Sequence, residues 1–147
     1  MLGMALFRKP DFVIYSDADG KKPNLKRWYI LPRCYYFNCY LHQFVGSDKR
    51  TPHDHPWWSL SITLWGRGKE KRYKDGKWKL NRLYPGRIFI RSAAYTHRVV
   101  IEAGPVWTLF ITGPAIRSWG FWEDGEFIPW REFCDPEDKG RPKRDEV

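Results

Sequence analysis

Cysteine is scarce in this chain: Cys34, Cys39 and Cys134 are the only three in 147 residues. An odd count without a pairing pattern speaks against a disulfide framework and for a reducing compartment. None of the three has the CxxC or Cys/His spacing of a structural zinc site. No apolar run reaches the roughly 18 residues of a transmembrane helix. The opening MLGMALF is interrupted by Arg8 and Lys9 before it can form a signal-peptide core. Together these absences predict a soluble, cytoplasmic protein with no membrane association. Long helical periodicity is missing too, and so are GxSxG, GxxxxGK[ST] and GxGxxG, which removes the usual signatures of serine hydrolases, P-loop enzymes and dinucleotide-binding folds.

Aromatic residues, by contrast, are abundant. They make up 18% of the chain and include nine tryptophans. Such residues fill cores, but they also line ligand pockets and interfaces, where a large apolar face and one polar atom are both useful. The formal net charge is +9, concentrated in RGKEKRYKDGKWKLNRLYPGRIFIR, residues 67 to 91. A solvated hairpin face explains this run; attraction of an anionic partner is the sharper alternative. No RRM, KH, zinc-finger or helix-turn-helix pattern accompanies it, so nucleic-acid binding is not specifically indicated.

The regular signal is β. Short strand-like runs recur between turn residues: 29–31, 34–45, 59–65, 77–84, 87–91, 97–102 and 106–112. Asp75-Gly76 suits a type I′ hairpin turn. Residues 102–105 (EAGP) and 123–125 (EDG) read as further turns. Asp17-Ala18-Asp19-Gly20 resembles the start of a calcium loop but lacks the later ligands, and reads as a turn. The spacing predicts an all-β sandwich or barrel in one domain, residues 1–134 with a core from about 28. The charged tail 135–147 is expected to be disordered.

The chemistry centres on HDHPWWSLSITLWG, residues 53 to 66. On a strand, His53 and His55 project to one face and can sit cis on one metal ion. Alternation carried forward places Trp57, Ser59, Ser61, Thr63 and Trp65 on that same face. A third histidine, His97, opens a later strand after the Pro85-Gly86 turn and the small-residue bend Ser92-Ala93-Ala94.

At this point the sequence resembles the cupins, small jelly-roll β-barrels with a metal site inside. Their first motif has His-x-His, a Glu four residues on, and a closing Gly; His53, His55 and Gly66 match. Their second has a Gly and, eleven residues later, a His; Gly86 and His97 match. The likeness covers roughly residues 40–112. Residues 112–133 look like the tail of an uncharacterised bacterial and phage cupin-like group. Ser59 stands where the Glu belongs, Arg87 replaces the acidic residue after Gly86, and Ser92 and Ala94 replace the bend Pro and Gly. The resemblance therefore implies a cupin-type jelly-roll barrel with a three-histidine metal site on His53, His55 and His97, as in the cysteine dioxygenase-like branch.

Three neutral imidazoles leave a divalent ion its full charge and open positions, which favours anionic ligands and Lewis-acid chemistry. Fe(II) is the preferred ion, since a facial site can hold substrate and O₂ together; Zn, Ni, Mn and Co also suit imidazole. His42 and Tyr95 are candidate acid–base or hydrogen-bonding groups, with a rim or packing role as the plain alternative for each. Trp57 and Trp65 are candidate stacking residues, and Arg33, Arg91 and Arg117 candidates for an anionic substrate group. Asp48 and Asp54 could orient ligand histidines. The aromatic cluster Trp119, Phe121, Trp122, Phe127, Trp130 and Phe133 could cap an open barrel end or form a homodimer interface. The expectation is a metal-dependent, dioxygenase-like enzyme acting on a small anionic molecule. The alternative is a non-catalytic module that binds a nucleotide, sugar or other small ligand.

Overall fold

The structure is a computed structural model that describes residues 8–15, 21–48, 51–135 and 141–142. Its strands are β1 (Phe12–Tyr15), β2 (Pro23–Tyr29), β3 (Asn38–Phe44), β4 (Ser59–Lys74), β5 (Lys77–Leu83), β6 (Ile88–Arg91), β7 (Thr96–Thr112), β8 (Gly120–Glu123) and β9 (Glu126–Pro129). One helical turn, α1 (Trp130–Phe133), follows, and then the short pair β10 (Cys134–Asp135) and β11 (Arg141–Pro142). No described helix is long and apolar enough to cross a membrane.

The main sheet is antiparallel, in the order β1-β2-β3-β7-β4-β5, with β6 paired to β4. Its hydrogen-bonded path ends at β1 and β5, so strand pairing among the described residues does not close a barrel. The two longest strands, β4 and β7, run alongside each other from Ser59↔Thr112 to Tyr73↔Thr96. Their outer halves have different neighbours. β3 and β6 flank the half around Ser59 and Thr112, while β5 flanks the half around Tyr73.

The two halves meet at an irregularity between Thr63 and Gly68, where the register slips repeatedly. Gly66 sits there with φ +86°, and a Cβ on it would lie 2.3 Å from the Pro105 carbonyl oxygen. Only glycine fits both demands. The irregularity corrects three expectations. β4 continues to Lys74 instead of stopping at Trp65. Residues 102–105 are not a connecting turn but lie inside β7, with Gly104 at φ +63°. The inward parity also changes: Ser59, Ser61 and Thr63 are buried, Trp65 is 67% exposed, and burial resumes at Gly68 and Glu70. An extra residue in one strand flips every side chain beyond it.

We expect Gly66→Ala to cost about 2–5 kcal/mol in a urea melt, from backbone strain plus overpacking. Gly76→Ala, at φ +72° with nothing within 4 Å, should cost only the strain, about 1–2 kcal/mol. Equal losses would mean that the close approach at Gly66 is unimportant.

The hairpin turns at Asp75-Gly76 and Asp124-Gly125 are as expected, with positive φ at all four residues. β1 lies wholly, and β2 almost wholly, ahead of the first expected strand, and β2 ends at Tyr29, where that strand was expected over 29–31. The Asp17–Gly20 turn falls outside the described residues, as do 136–140 and 143–147 of the tail. The apolar side chains form three clusters. Trp28 and Leu41 pack with Leu64 and Trp107. Leu83, Phe89 and Val99 pack with Phe44 and Ile101. Phe121, Phe133 and Cys134 pack with Trp119 and Trp130.

Candidate metal centre

His97 is the second residue of β7, and His53 pairs with it as an isolated antiparallel bridge. The His53 N–H donates to the His97 carbonyl at 3.0 Å, and the His97 N–H returns the bond at 2.9 Å. The next two amides are also held. Asp54 N–H donates to Gly120 O at 3.1 Å, and His55 N–H to Ala93 O at 3.1 Å. Three consecutive residues are therefore pinned to three separate parts of the chain. The Asp54 side chain, 1% exposed, adds to this. It accepts the Gly120 N–H at 2.9 Å and Trp122 Nε1–H at 3.2 Å, and Arg117 Nη1 lies 3.0 Å from it.

This backbone brings the three imidazoles together. Ring centroids are 5.0 Å apart for His53–His55, 5.1 Å for His53–His97 and 5.2 Å for His55–His97. One nitrogen from each lies within 4.8 Å of the others, and His55 Nε2 is 2.9 Å from His97 Nε2. Two cis nitrogens at bond lengths of 2.0–2.1 Å and a right angle stand about 3.0 Å apart, so the His55–His97 pair has the spacing of two cis ligands, and His53 lies close enough to make the three a group that could hold one ion. Burial, then the neighbouring His53 and His97, hold the His55 pKa well below its usual value, which keeps it in the neutral, ligating form.

Behind His97 lies a carboxylate that the sequence reading missed. Glu70 is fully buried. His97 Nδ1–H donates to its Oε1 at 2.6 Å, and Arg91 Nε–H donates to the same oxygen at 2.6 Å. Tyr95 Oη–H and an Asn81 amide N–H donate to Oε2 at 3.0 and 3.3 Å. Burial alone would raise the Glu70 pKa, but the His97 hydrogen bond and the Arg91 charge outweigh it and bring it to about 2. The ionised carboxylate fixes the proton of His97 on Nδ1 and turns the Nε2 lone pair toward the other two rings. Burial and the charge of Glu70 push the Tyr95 hydroxyl up to about 12.

The triad opens on a cavity of about 530 Å³. β1, β2 and β3 line one side through Phe12, Leu25, Arg27 and His42, and β7 contributes Val99 and Phe110. Trp57 and the C-terminal aromatics Trp119, Phe121 and Trp130 complete it. Trp119 and Trp130 stack at 5.8 Å with 8° between their planes.

No family model matches this sequence, and no curated protein does. Solved structures do match. An uncharacterised conserved protein with a double-stranded β-helix domain from Klebsiella pneumoniae is 14% identical over 69% of this chain and 86% of its own, with a TM-score of 0.54. A cupin superfamily protein from Desulfitobacterium hafniense is 15% identical over 62% of this chain and 78% of its own, with a TM-score of 0.51. A variant of oxalate decarboxylase from Bacillus subtilis is 11% identical over 62% of this chain, with a TM-score of 0.50. The match spans only a quarter of the length of that decarboxylase chain. This chain has a cupin fold.

Within the cupin fold, the structure sorts the residues singled out from sequence. His53, His55 and His97 form the cluster. Trp57 lines the cavity, its ring 4.7 Å from that of His55. Trp65 faces solvent, because the Gly66 irregularity rotates it outward. Arg33 is exposed and sits over the Tyr29 ring. Arg91 is buried on Glu70 and Ser61 rather than in the cavity. Arg117 clamps Asp54 and the carbonyls of His55 and Ala93. Tyr95 supports Glu70 and does not line the cavity. Asp54 orients the ligand-bearing turn, not an imidazole, and Asp48 accepts the Val99 N–H at 2.7 Å.

His42 lines the cavity, apart from the cluster. Its ring stacks between Tyr40 and Phe110, and its Nε2 accepts the Arg27 Nε–H at 2.9 Å. Burial, then the Arg27 charge, hold its pKa well below the usual value, so the neutral ring carries its proton on Nδ1. That buried Nδ1 has no hydrogen-bond partner among the described residues, an arrangement that costs about 1–3 kcal/mol. Stability alone does not account for a histidine there.

Proposed function

We propose that this cupin is a mononuclear metal-dependent enzyme, an Fe(II) dioxygenase-like oxidoreductase that acts on a small anionic molecule held in the cavity beside the triad. One observation carries the reading: three imidazoles converge at the wall of a largely apolar cavity, and the cluster contains no carboxylate. A divalent ion on His53, His55 and His97 would keep its full charge and open positions, supplying Lewis acidity and, as iron, oxygen activation; Zn, Ni, Mn or Co would supply the first alone or with their own chemistry. The chain does the rest. Glu70 holds the His97 tautomer, Asp54 and Arg117 hold the His53–His55 turn, and the aromatic walls exclude water and favour a bound substrate over solvent.

Elemental analysis of freshly purified protein should find about one equivalent of transition metal, and an oxygen electrode should register uptake with a turned-over substrate. Protein that neither carries nor takes up metal, yet is heat-stabilised by nucleotides or sugars, would instead support the non-catalytic binding module.

A further inference from the structure

Arg27 stands apart from the other basic residues of the chain. Among the described residues it is the only Lys or Arg that lines the cavity. No carboxylate of the described residues pairs with it there. Its Nε–H is taken by His42, which is neutral, and its guanidinium lies 4.5 Å from the Tyr40 ring centroid and 5.8 Å from that of Phe12. Aromatic faces and a neutral imidazole orient a guanidinium without cancelling its charge. With Nε engaged, the terminal Nη1/Nη2 fork is the part left for a ligand, and that fork matches a carboxylate bidentately. The register explains the placement: Arg27 is directly opposite His42 on β3, and Leu25, two residues earlier on the same face, also lines the cavity.

The rest of the lining narrows the ligand. Among the described residues the lining has one Lys or Arg and one carboxylate, Asp48, which would repel a second negative charge. From Arg27 toward the triad the wall is aromatic. The His42 ring contacts Phe110 at 4.7 Å, Phe110 contacts Trp57 at 6.2 Å, and Trp57 contacts His55 at 4.7 Å. We propose that the cavity binds an amphipathic monocarboxylate, with its carboxylate on Arg27 and its apolar or aromatic body along Phe110 and Trp57 so that the far end faces the triad. The assignment rests on the metal-dependent reading for its catalytic meaning, but not for the binding itself. His42 is a positioning residue that holds the fork toward the cavity.

The test uses chelator-stripped full-length protein and calorimetric titration with 3-phenylpropanoate, the uncharged 3-phenylpropan-1-ol and oxalate. Wild type should bind the acid about 10–100-fold more tightly than the alcohol, the range expected for a charge-assisted bidentate contact, and should bind oxalate weakly. Arg27→Met should remove the acid's advantage and leave the alcohol's affinity unchanged; Arg27→Lys should restore only part of it. His42→Gln should retain more of the preference than His42→Phe. Equal binding of acid and alcohol by wild type would overturn the assignment, whether or not the variants fold. So would an acid preference that survives Arg27→Met, or one that exists only in metal-loaded protein, since the ion would then be the anchor. Protein that holds no metal but keeps the acid preference would sink the enzyme reading and leave this site standing.

Discussion

Substituting His97 by Ala is expected to strip the protein of metal while leaving it folded. In the proposed site the ring would supply one of three ligand atoms, and its loss would leave two imidazoles that approach from a single turn. The affinity of such a pair should fall by more than the 10–100-fold typical of losing an outer-sphere partner, so metal content after desalting should drop from about one equivalent to background. The fold should survive because Glu70 keeps Arg91, Tyr95 and Asn81 as donors. The thermodynamic cost is that of one buried hydrogen-bond partner, about 1–3 kcal/mol. His42→Gln serves as the control, since His42 is outside the cluster and its metal content should not change. A His97→Ala protein that keeps its metal would show that the ion, if any, sits elsewhere.

The second large effect concerns Glu70. Removing its charge strands Arg91, which is 5% exposed and has no other acid in its salt bridge. Breaking a buried pair from one side costs about 3–5 kcal/mol, so Glu70→Leu should lower the urea midpoint sharply. Glu70→Gln is nearly isosteric and should fold better, but it relaxes the tautomer of His97 and should weaken metal binding 10–100-fold. The pH dependence has a definite sign. The folded pKa of about 2 lies below the usual 4.5. The contribution to stability is therefore complete above about pH 4.5 and is lost as the pH falls toward 2. Integrated, that shift is about 3 kcal/mol. Metal-free wild type should show this acid slope, and Glu70→Gln should lack most of it. An unchanged slope would mean that Glu70 is not ionised in the folded protein.

The convergence of the three histidines was legible in the sequence because the motif that the chain resembles has fixed spacing. His53 and His55 share a face by simple alternation, and the gap from Gly86 to His97 is that of the motif the chain resembles. What alternation could not give was its own interruption. Gly66 looks like the end of a strand, and nothing in SLSITLWGRGKE shows that the chain continues with inverted parity. The same slip turned Trp65 outward and Glu70 inward. Glu70 was hidden twice, since an acid among ten Lys and Arg over residues 67–91 reads as part of a solvated face. The run has two acids, and with Asp75 placed in the hairpin turn, Glu70 alone stands on a strand, which was the available signal. Arg27 was missed for a related reason. A charge on the cavity face of β2 makes PNLKRWY look polar on both sides, so the strand itself was unread. Arg33, Arg91 and Arg117 were candidates by type alone, and type says nothing about whether a counter-ion is already in place, as it is for the last two.

The three amides of residues 53, 54 and 55, each bonded to a different segment, bear on how an ion is captured. In many small metallo-domains the unliganded chain is a coil, and chelation has to drive folding. Here the donor turn is already immobilised by bonds that involve no imidazole, so little chain entropy remains to be lost on uptake. Loading and unloading should therefore leave amide hydrogen-exchange protection at these positions nearly unaltered, and the apoprotein should behave as a rigid receptor rather than a partner that folds around its guest.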